Sequence, residues 1–346
     1  MYIIKLILVI IFINIGTSYA QNKTYKVVTI AFYNVENLFD TIDDSTKNDE
    51  ASPIMEMSKK IRGEVYWEKQ NKLAKVIKRI GTEIAKNAPA IVGLAEVENF
   101  NVLQDLVNTP ELKEYNYGII HYESPDYRGI DVALLYQKAI FKPLHSSPKE
   151  LVIHHKSNDK RYHTRDQLYV KGLLDGDKFH FLVNHWPSRG NKEAYRIKAA
   201  KTARAIMDSV MATESDTKFM IMGDFNDGPH DKSITQYLNA KSTRKEVSRN
   251  DVYNPYHKII KRGIGTSAWR DTWNLFDQIM LSKALINNDY TSYRMYKAGI
   301  FNPQFLQTTE GRYKGYPFRS FDDGGFTGGY SDHFPVYIHL IKETEN

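Results

Sequence analysis

The chain has 346 residues, enough for one large core or for two domains, with a formal net charge of +6 and no cysteine. The lack of cysteine excludes a disulfide framework, a thiolate metal site and a cysteine nucleophile. A content of 42% hydrophobic and 25% charged residues is typical of a globular enzyme, and the mildly basic balance suits a polyanionic partner.

Residues 1–20 have the layout of a secretory signal peptide, with Lys5 ahead of an apolar run and a small-residue ending, SYA. A transmembrane anchor is the alternative, but the segment is short and no second hydrophobic span follows it. We therefore expect export to a periplasm or to the cell exterior, with no stable membrane anchor after cleavage. Removing one lysine and no acid would lower the formal charge from +6 to +5.

Residues 21–346 show no internal repeat and no composition break, so we expect a single domain and a monomer. Residues 27–32, VVTIAF, predict a buried strand that runs into Asn34. Residues 40–66 are rich in Asp, Ser and Lys without a clean period, and we expect an exposed insertion there.

Residues 67–86 carry apolar side chains at helical spacing and predict a helix, which Pro89 ends. Residues 90–95, AIVGLA, predict a second buried strand that ends at Glu96. A strand, a helix and a second strand are typical of a layered α/β arrangement. A short helix is expected over residues 101–108.

Residues 130–136 predict a third strand, and residues 167–174 and 178–183 predict a hairpin. The second arm of the hairpin runs into NHWPSRG, which contains His185 and Ser188. A helix is expected over residues 192–211, with its apolar face turned inward.

Residues 219–229, FMIMGDFNDGP, are an apolar strand that ends abruptly in polar groups. Asp224 and Asn226 are two residues apart, so an extended backbone presents both on the same face. An ordinary Asp/Asn/Gly turn is the alternative. The same ending on other predicted strands favours a functional site.

Residues 275–281, LFDQIML, predict a strand interrupted by Asp277, and a carboxylate buried there must be paired or functional. Residues 240–268 are expected to form a polar connection. Residues 296–330 contain nine aromatic residues and predict a long excursion or lid. Asp332 and His333 then precede the closing strand.

The polar residues at these strand ends form one chemical set. Carboxylate and amide oxygens without thiolates are ligands for Mg²⁺, Mn²⁺ or Ca²⁺. Two histidines add proton transfer or phosphate contact near neutral pH. The set therefore favours metal-assisted phosphodiester hydrolysis. Its members are Asn34, Glu96, His185, Asp224, Asn226, Asp277, Asp332 and His333.

Six motifs in order, YNVENLFD, AEVEN, VNHWPSRG, MGDFND, LFDQIMLS and SDHFPV, resemble those of the endonuclease/exonuclease/phosphatase superfamily. The resemblance spans about residues 27–340. It implies an α/β fold, a four-layer sandwich of two mixed, mainly antiparallel sheets flanked by helices. It also implies a divalent metal held by Glu96, with Asn34 and Asp332 close by, for which Mg²⁺ is preferred and Mn²⁺ or Ca²⁺ are alternatives.

The resemblance implies catalytic roles as well. Asp224 would orient or deprotonate the attacking water, and Asn226 would support the phosphate oxygens. His333, held by Asp277, would contact the scissile phosphate, and His185 would protonate the leaving oxygen. Substrate phosphates have three further candidate ligands, which are Arg128, Arg165 and Ser188. Two glutamates near the motifs, Glu36 and Glu98, stay open between a role in the site and a helix-capping or surface role.

The first functional hypothesis is a secreted nuclease acting on DNA or RNA, with aromatic residues near 301–330 stacking on bases. The alternative is a phosphoesterase of the same fold acting on lipid or inositol phosphates, for which an exposed apolar hairpin is expected. A non-catalytic binding module is a third hypothesis. It would be expected to have lost catalytic positions, and all eight are present.

Overall fold

The computed structural model describes residues 23–214 and 216–344, so the predicted signal peptide lies outside the described residues. The α-helices are α1 Pro53–Glu56, α2 Lys59–Arg79, α3 Thr82–Ala85, α4 Phe100–Asn108, α5 Glu193–Thr213 and α6 Tyr256–Ile259. In the part of the chain so described, no helix is long and apolar enough to span a membrane.

The strands follow in chain order. They are β1 Thr24–Leu38, β2 Ile91–Val97, β3 Tyr117–His121, β4 Asp131–Gln137, β5 Phe141–Lys149, β6 Ile153–His154, β7 Arg161–Tyr162, β8 Gln167–Leu174, β9 Asp177–His185, β10 Phe219–Asp224, β11 Ala240–Lys241, β12 Val252–Tyr253, β13 Ser267–Trp269, β14 Thr272–Asn274, β15 Asp277–Ser282, β16 Arg294–Ile300, β17 Phe321–Asp322, β18 Gly325–Phe326 and β19 Val336–Thr344.

Most of these strands form two mixed sheets. The six-stranded sheet has the order β16-β19-β1-β2-β4-β3, and the seven-stranded sheet has the order β11-β12-β15-β10-β9-β8-β5. In the first sheet only β1 and β2 run parallel, and in the second only the pairs β9–β10 and β11–β12 do. Both sheets are therefore mainly antiparallel, as the resemblance implied.

Alternation along the strands builds the four layers. On β1, Ile30 and Phe32 lie in the core between the two sheets, whereas Ala31 and Tyr33 lie in a second core under α2 and α4. A third core packs α5 against the outer face of the seven-stranded sheet. Each sheet is thus buried on both faces, which explains why its strands are almost continuously apolar.

The strand directions bring the polar strand ends to one edge. The parallel pairs β1–β2 and β9–β10 end at this edge, and their antiparallel neighbours β19 and β15 begin there. The predicted strand-end residues therefore come from both sheets and meet where the core between the sheets opens to solvent.

The expectation of an exposed insertion over residues 40–66 is wrong in part. The helix α2 begins at Lys59, within that range, and α1 precedes it. Ile54, Val65 and Tyr66 are buried. The few apolar residues of this segment are separated by many charged residues and by a helical glycine, Gly63. The local sequence therefore shows no clear helical period.

Two other segments are more ordered than expected. Residues 240–268 contribute β11 and β12 to the seven-stranded sheet, and α6 follows them. The first part of residues 296–330 is β16, an edge strand of the six-stranded sheet, and the remainder packs on α2 through Leu306 and Phe321. The strands β3 and β5 were not expected from the sequence.

Candidate active site

Three side chains form a row across neighbouring strands. Asp224 on β10 is directly paired with His185 on β9 and with Asp277 on β15. Directly paired residues present their side chains on the same face of a sheet. The residues two positions deeper in each strand lie in the core between the sheets, so the row faces the six-stranded sheet.

Glu96 joins this row because of a bulge. Its neighbour Ala95 already faces the inter-sheet core, so regular alternation would turn Glu96 toward the helices. Instead, the register shifts here and Glu96 has φ +64°. Its two carboxylate oxygens accept hydrogen bonds from Asn34 Nδ2 at 3.1 Å and from Asn37 N at 3.0 Å. The bulge aims the carboxylate at the site.

Asn34 bridges the two sheets. Its Nδ2 donates to Glu96 Oε1 and to Asp224 Oδ2, each at 3.1 Å. Its Oδ1 accepts from Glu36 N at 3.0 Å, which fixes the orientation of the amide. Asn34 therefore acts here as a donor to two carboxylates, and direct ligation of a metal through Oδ1 stays a prediction.

His333 forms a charged pair with Asp277. His333 Nδ1 lies 2.7 Å from Asp277 Oδ2, and Nε2 lies 3.9 Å from both Asp224 Oδ2 and Asp332 Oδ1. Burial opposes the charged imidazole, but Asp277 and Asp332 outweigh it and raise the pKa of His333 well above its usual value. The structure thus favours an imidazolium that points Nε2 into the site.

His185 behaves in the opposite way. Its Nε2 lies 3.7 Å from Asp224 Oδ2 and 3.8 Å from Glu96 Oε1. Burial, together with the positive charge of Arg165, holds the pKa of His185 well below its usual value. Its Nδ1 is buried without a hydrogen-bond partner among the described residues. The free protein therefore carries a neutral imidazole at this position.

The carboxylates at this edge suit a divalent cation. Burial and Asp277 raise the pKa of Asp224 to about 6, although His333 opposes the shift. Partial desolvation, with Glu96 adding to it, raises the pKa of Asp332. Such crowding of hard oxygen donors is relieved by a bound cation, and Glu96 and Asp332 would hold it.

A different group of possible ligand atoms consists of Asp224, Asp277 and His333. His333 Nδ1 already forms a hydrogen bond with Asp277. We therefore interpret these three residues as a hydrogen-bonded cluster rather than as a metal site. Asp277 Oδ1 is buried and has no hydrogen-bond partner within residues 23–214 and 216–344. The side chain of Asp277 is therefore held by its one short hydrogen bond with His333.

Asn226 lies just after Asp224 and is half-buried. Its backbone N–H donates to Asp224 Oδ1 at 2.9 Å, and its Nδ2 donates to Trp186 O at 2.9 Å. Its φ of +50° is the left-handed conformation that asparagine tolerates better than most residues. The turn that the sequence offered as the alternative is thus present, so the backbone is not extended through Asn226, and the turn also orients the carboxylate of Asp224.

The three candidate substrate ligands lie in different surroundings. Arg165 is buried, and its guanidinium donates to Asp126 Oδ2 at 3.1 Å and to Trp186 O at 2.7 Å. Arg128 is half-exposed and lies 3.9 Å from Asp126 Oδ1. Ser188 is exposed on the loop after β9, where its carbonyl accepts from Arg196. Binding of phosphate by these residues stays a prediction.

A buried network behind the site was missed. Glu36 and Glu98, which the sequence left open, are both buried, so the surface alternative is excluded for them. Glu36 accepts from Ser320 N at 2.5 Å and from Arg319, and Arg319 Nη2 lies 3.9 Å from Asp332 Oδ2. Burial, with Asp332 adding to it, raises the pKa of Glu36 to about 7.

Lys69 of α2 completes this network. Its Nζ donates to Ser320 Oγ at 2.5 Å, and burial lowers the pKa of Lys69 to about 8 while Glu36 opposes the shift. One signal was present in the sequence, because Lys69 falls on the buried stripe of α2 between Tyr66 and Leu73. A lysine on such a stripe needs a buried acidic or polar partner.

A short hairpin projects beside the site, and we call its exposed tip and the neighbouring side chains of residues 312–313 the aromatic rim. Its strands are β13 and β14, and Arg270 and Asp271 at the turn have φ of +46° and +61°. Trp269 is 69% exposed and Tyr313 is 58% exposed. Arg312 pairs with Asp271 at 3.1 Å.

The rim is attached directly to the segment that carries His333. The ring of Trp273 on β14 stacks on Phe334 with centroids 6.1 Å apart, and Phe334 N donates to Thr266 O at 2.7 Å. The hairpin is thus anchored beside His333, and its tip presents aromatic and cationic groups to solvent.

Comparison with known proteins gives one family. The model of the Endonuclease/Exonuclease/phosphatase family matches residues 29–342 of the chain. No curated protein sequence matches it. The similar solved structures described below are each under 25% identical, so they show the fold alone.

Three of these structures illustrate the likeness. A family protein from Bacteroides thetaiotaomicron is 17% identical with a TM-score of 0.56, covering 93% of this chain and 100% of its own. TDP2 of D. rerio in complex with single-strand DNA product is 16% identical with a TM-score of 0.52, covering 91% and 98%. A mannosyl-6-phosphatase of Bacteroides thetaiotaomicron is 16% identical with a TM-score of 0.53, covering 90% and 99%.

Proposed function

The chain belongs to the endonuclease/exonuclease/phosphatase family, and on that premise we propose that it is an exported, divalent-metal-dependent phosphodiesterase that cleaves DNA or RNA. The catalytic unit is residues 21–346, acting as a monomer after loss of the signal peptide. Mg²⁺ is the preferred cation, with Mn²⁺ or Ca²⁺ as alternatives. The reaction is attack of water on the phosphate.

Two side chains carry out proton transfer and charge stabilisation at the phosphate. Asp224, whose pKa is raised to about 6, accepts a proton from the attacking water. His333 is held charged and oriented by Asp277, and its Nε2 donates to a phosphate oxygen as negative charge develops. A divalent cation bound by Glu96 and Asp332 would supply charge neutralisation as a Lewis acid.

His185 enters the reaction from the other side of Asp224. In the free protein it is neutral, so it can protonate the leaving oxygen only after it gains a proton. The negative charge of a bound phosphate favours that gain, because a nearby anion stabilises the imidazolium. Asn34 meanwhile keeps Glu96 and Asp224 in place through its two N–H donors.

The aromatic rim is the single observation that favours nucleic acid over a small phosphoester. Arginine and exposed aromatic side chains together bind single strands, because bases stack on the rings while cations contact phosphates. The Cζ atom of Arg270 lies 5.6 Å from the ring centroid of Trp269, and that of Arg312 lies 5.9 Å from the ring centroid of Tyr313. The DNA product in the related TDP2 structure agrees with a nucleic-acid substrate.

The alternative is a phosphoesterase of the same fold acting on lipid or inositol phosphates. One observation favours it, since Trp269 at the tip of a hairpin could also dock on a lipid surface. The tip is mixed rather than apolar, however, because Arg270 and Asp271 follow directly. The related mannosyl-6-phosphatase shows that this fold also serves a phosphatase.

An activity panel tests the proposal. The purified chain from Gln21 onward is assayed on supercoiled plasmid, single-stranded DNA, RNA, an inositol polyphosphate, a sugar phosphate and sphingomyelin. Each assay is run with Mg²⁺, with Mn²⁺ and with chelator. We expect cleavage of nucleic acid that requires the metal.

Two substitutions locate the activity. Asp224→Ala and His333→Ala should abolish cleavage while leaving the circular-dichroism spectrum unchanged. Release of phosphate or phosphocholine with intact nucleic acid would move the assignment to the alternative. A folded protein that is silent on every substrate would favour a binding module.

A further inference from the structure

A second group of carboxylates lies outside the candidate active site, in residues 40–50, which we call the acidic loop. We propose that the acidic loop binds a structural calcium ion through Asp43, Asp49 and Glu50. The proposal rests on the geometry of the loop itself and does not depend on the proposed function.

The loop brings its carboxylates together. One oxygen from each of Asp43, Asp49 and Glu50 lies within 4.8 Å of the others. The backbone curls around them, because Asp44 N donates to Asp49 Oδ2 at 2.8 Å. The lysine of the loop does not neutralise the group, since Lys47 Nζ donates to the carbonyls of Ser124 and Asp126 at 2.9 and 3.5 Å.

A buried carboxylate oxygen without a hydrogen-bond partner favours cation binding in this loop. Asp49 is 2% exposed, and its Oδ1 has no hydrogen-bond partner in the described part of the chain. A buried carboxylate oxygen is costly unless it is paired or coordinates a cation. Asp43 and Glu50 are exposed, so an ion can enter from solvent on their side.

The loop also ties together the two strand ends that carry Asn34 and Glu96. Asp40 N donates to Glu98 Oε2 at 2.6 Å, and Asn99 Nδ2 donates to Asp40 Oδ2 at 3.2 Å. A cation in the acidic loop would therefore stabilise the segment that connects β1 to the end of β2. Its expected effect is on stability rather than on chemistry.

Calcium fits this site better than magnesium. Ca²⁺ takes six to eight oxygen ligands in flexible geometry, and mobile carboxylates, backbone carbonyls and water can supply them. Mg²⁺ requires a near-ideal octahedron and keeps much of its water. Two of the three carboxylates are exposed, so we expect a weak site with a Kd of about 10⁻⁴–10⁻³ M.

Calorimetric titration with CaCl₂ tests the site, using purified protein stripped with EGTA. We expect a calcium-binding event that the wild type and Glu96→Gln share, and that Asp49→Asn weakens at least tenfold. Glu50→Gln and Asp43→Asn, at exposed positions that leave the fold intact, should each weaken it as well. Calcium should raise the Tm of the wild type and not that of Asp49→Asn.

Two controls separate the acidic loop from other carboxylates. Glu96→Gln removes a carboxylate of the candidate active site and should leave the event unchanged. Asp289→Asn removes one carboxylate charge from an exposed turn elsewhere, where Asp289 accepts a hydrogen bond from Thr291 N. This substitution should leave calcium binding unchanged. The proposal would be overturned if the event seen in Glu96→Gln survived Asp49→Asn, Glu50→Gln and Asp43→Asn, or if Glu96→Gln alone abolished all calcium binding.

Discussion

Two histidines lie on opposite sides of Asp224 at almost equal distances, 3.7 Å for His185 and 3.9 Å for His333. Their pKa values nevertheless shift in opposite directions. His333 has a carboxylate, Asp277, on its far nitrogen, whereas His185 has a buried Nδ1 without a described partner and a guanidinium nearby. The group behind each ring, rather than the shared carboxylate, therefore decides its charge.

The largest expected effect comes from replacing each of the two histidines in turn. His333→Gln should lower kcat by about 10²–10⁴-fold, because it removes the charged donor to the phosphate. His185→Gln should cost less, about 10²-fold at the lower end of that range, since its ring must first gain a proton in the substrate complex. Single-turnover cleavage rates measure both. Equal losses would show that the two rings are equivalent in the reacting complex.

The next test removes the difference between the rings. Asp277→Asn should lower kcat about 10²-fold near pH 8, because His333 then loses its proton as the pH rises past about 6.5. The raised pKa in the wild type keeps the imidazolium at that pH. In a pH–rate profile the basic limb should move to lower pH, with partial activity kept near pH 6. An unshifted limb would contradict the assignment.

Trp269, which we propose binds substrate away from the two histidines, should affect KM rather than kcat. Trp269→Ala should raise KM for single-stranded DNA about tenfold and leave kcat and the pH profile unchanged, because stacking contributes about 1–3 kcal/mol per base. Trp67→Ala is the matched control, since Trp67 is also exposed, at 49%, but lies on α2. A similar rise in KM for both variants would argue against a specific rim.

The smallest effect concerns the carboxylate between the rings. The folded-state pKa of Asp224 is about 6, above the unfolded value of about 3.9, so its ionisation lowers stability as pH rises from 4 to 6. In chelator at pH 8, Asp224→Asn should therefore stabilise the protein by about 1–2 kcal/mol. The gain should disappear near pH 4. Urea unfolding at both pH values measures it, and a loss of stability at pH 8 would refute it.

Much of the fold and of the site follows from local sequence. Apolar strands that end near Asn34, Glu96 or Asp224, and one that contains Asp277, are visible as short patterns, and the structure brings these side chains to one edge. The reason is that side-chain alternation and strand ends are local properties. The acidic composition of residues 40–66, by contrast, hid the start of α2, because buried contacts there come from distant segments.

The sequence by itself determined which residue types stand at the ends of the strands, since each strand is encoded by its own alternation. Only the tertiary structure decided how those residues behave. The bulge at Glu96, the burial of Glu36 with Lys69 and Arg319, and the opposite charges of the two histidines all depend on groups from separate strands. A pKa is set by burial and by neighbours in space, and neither can be read from one segment of the chain.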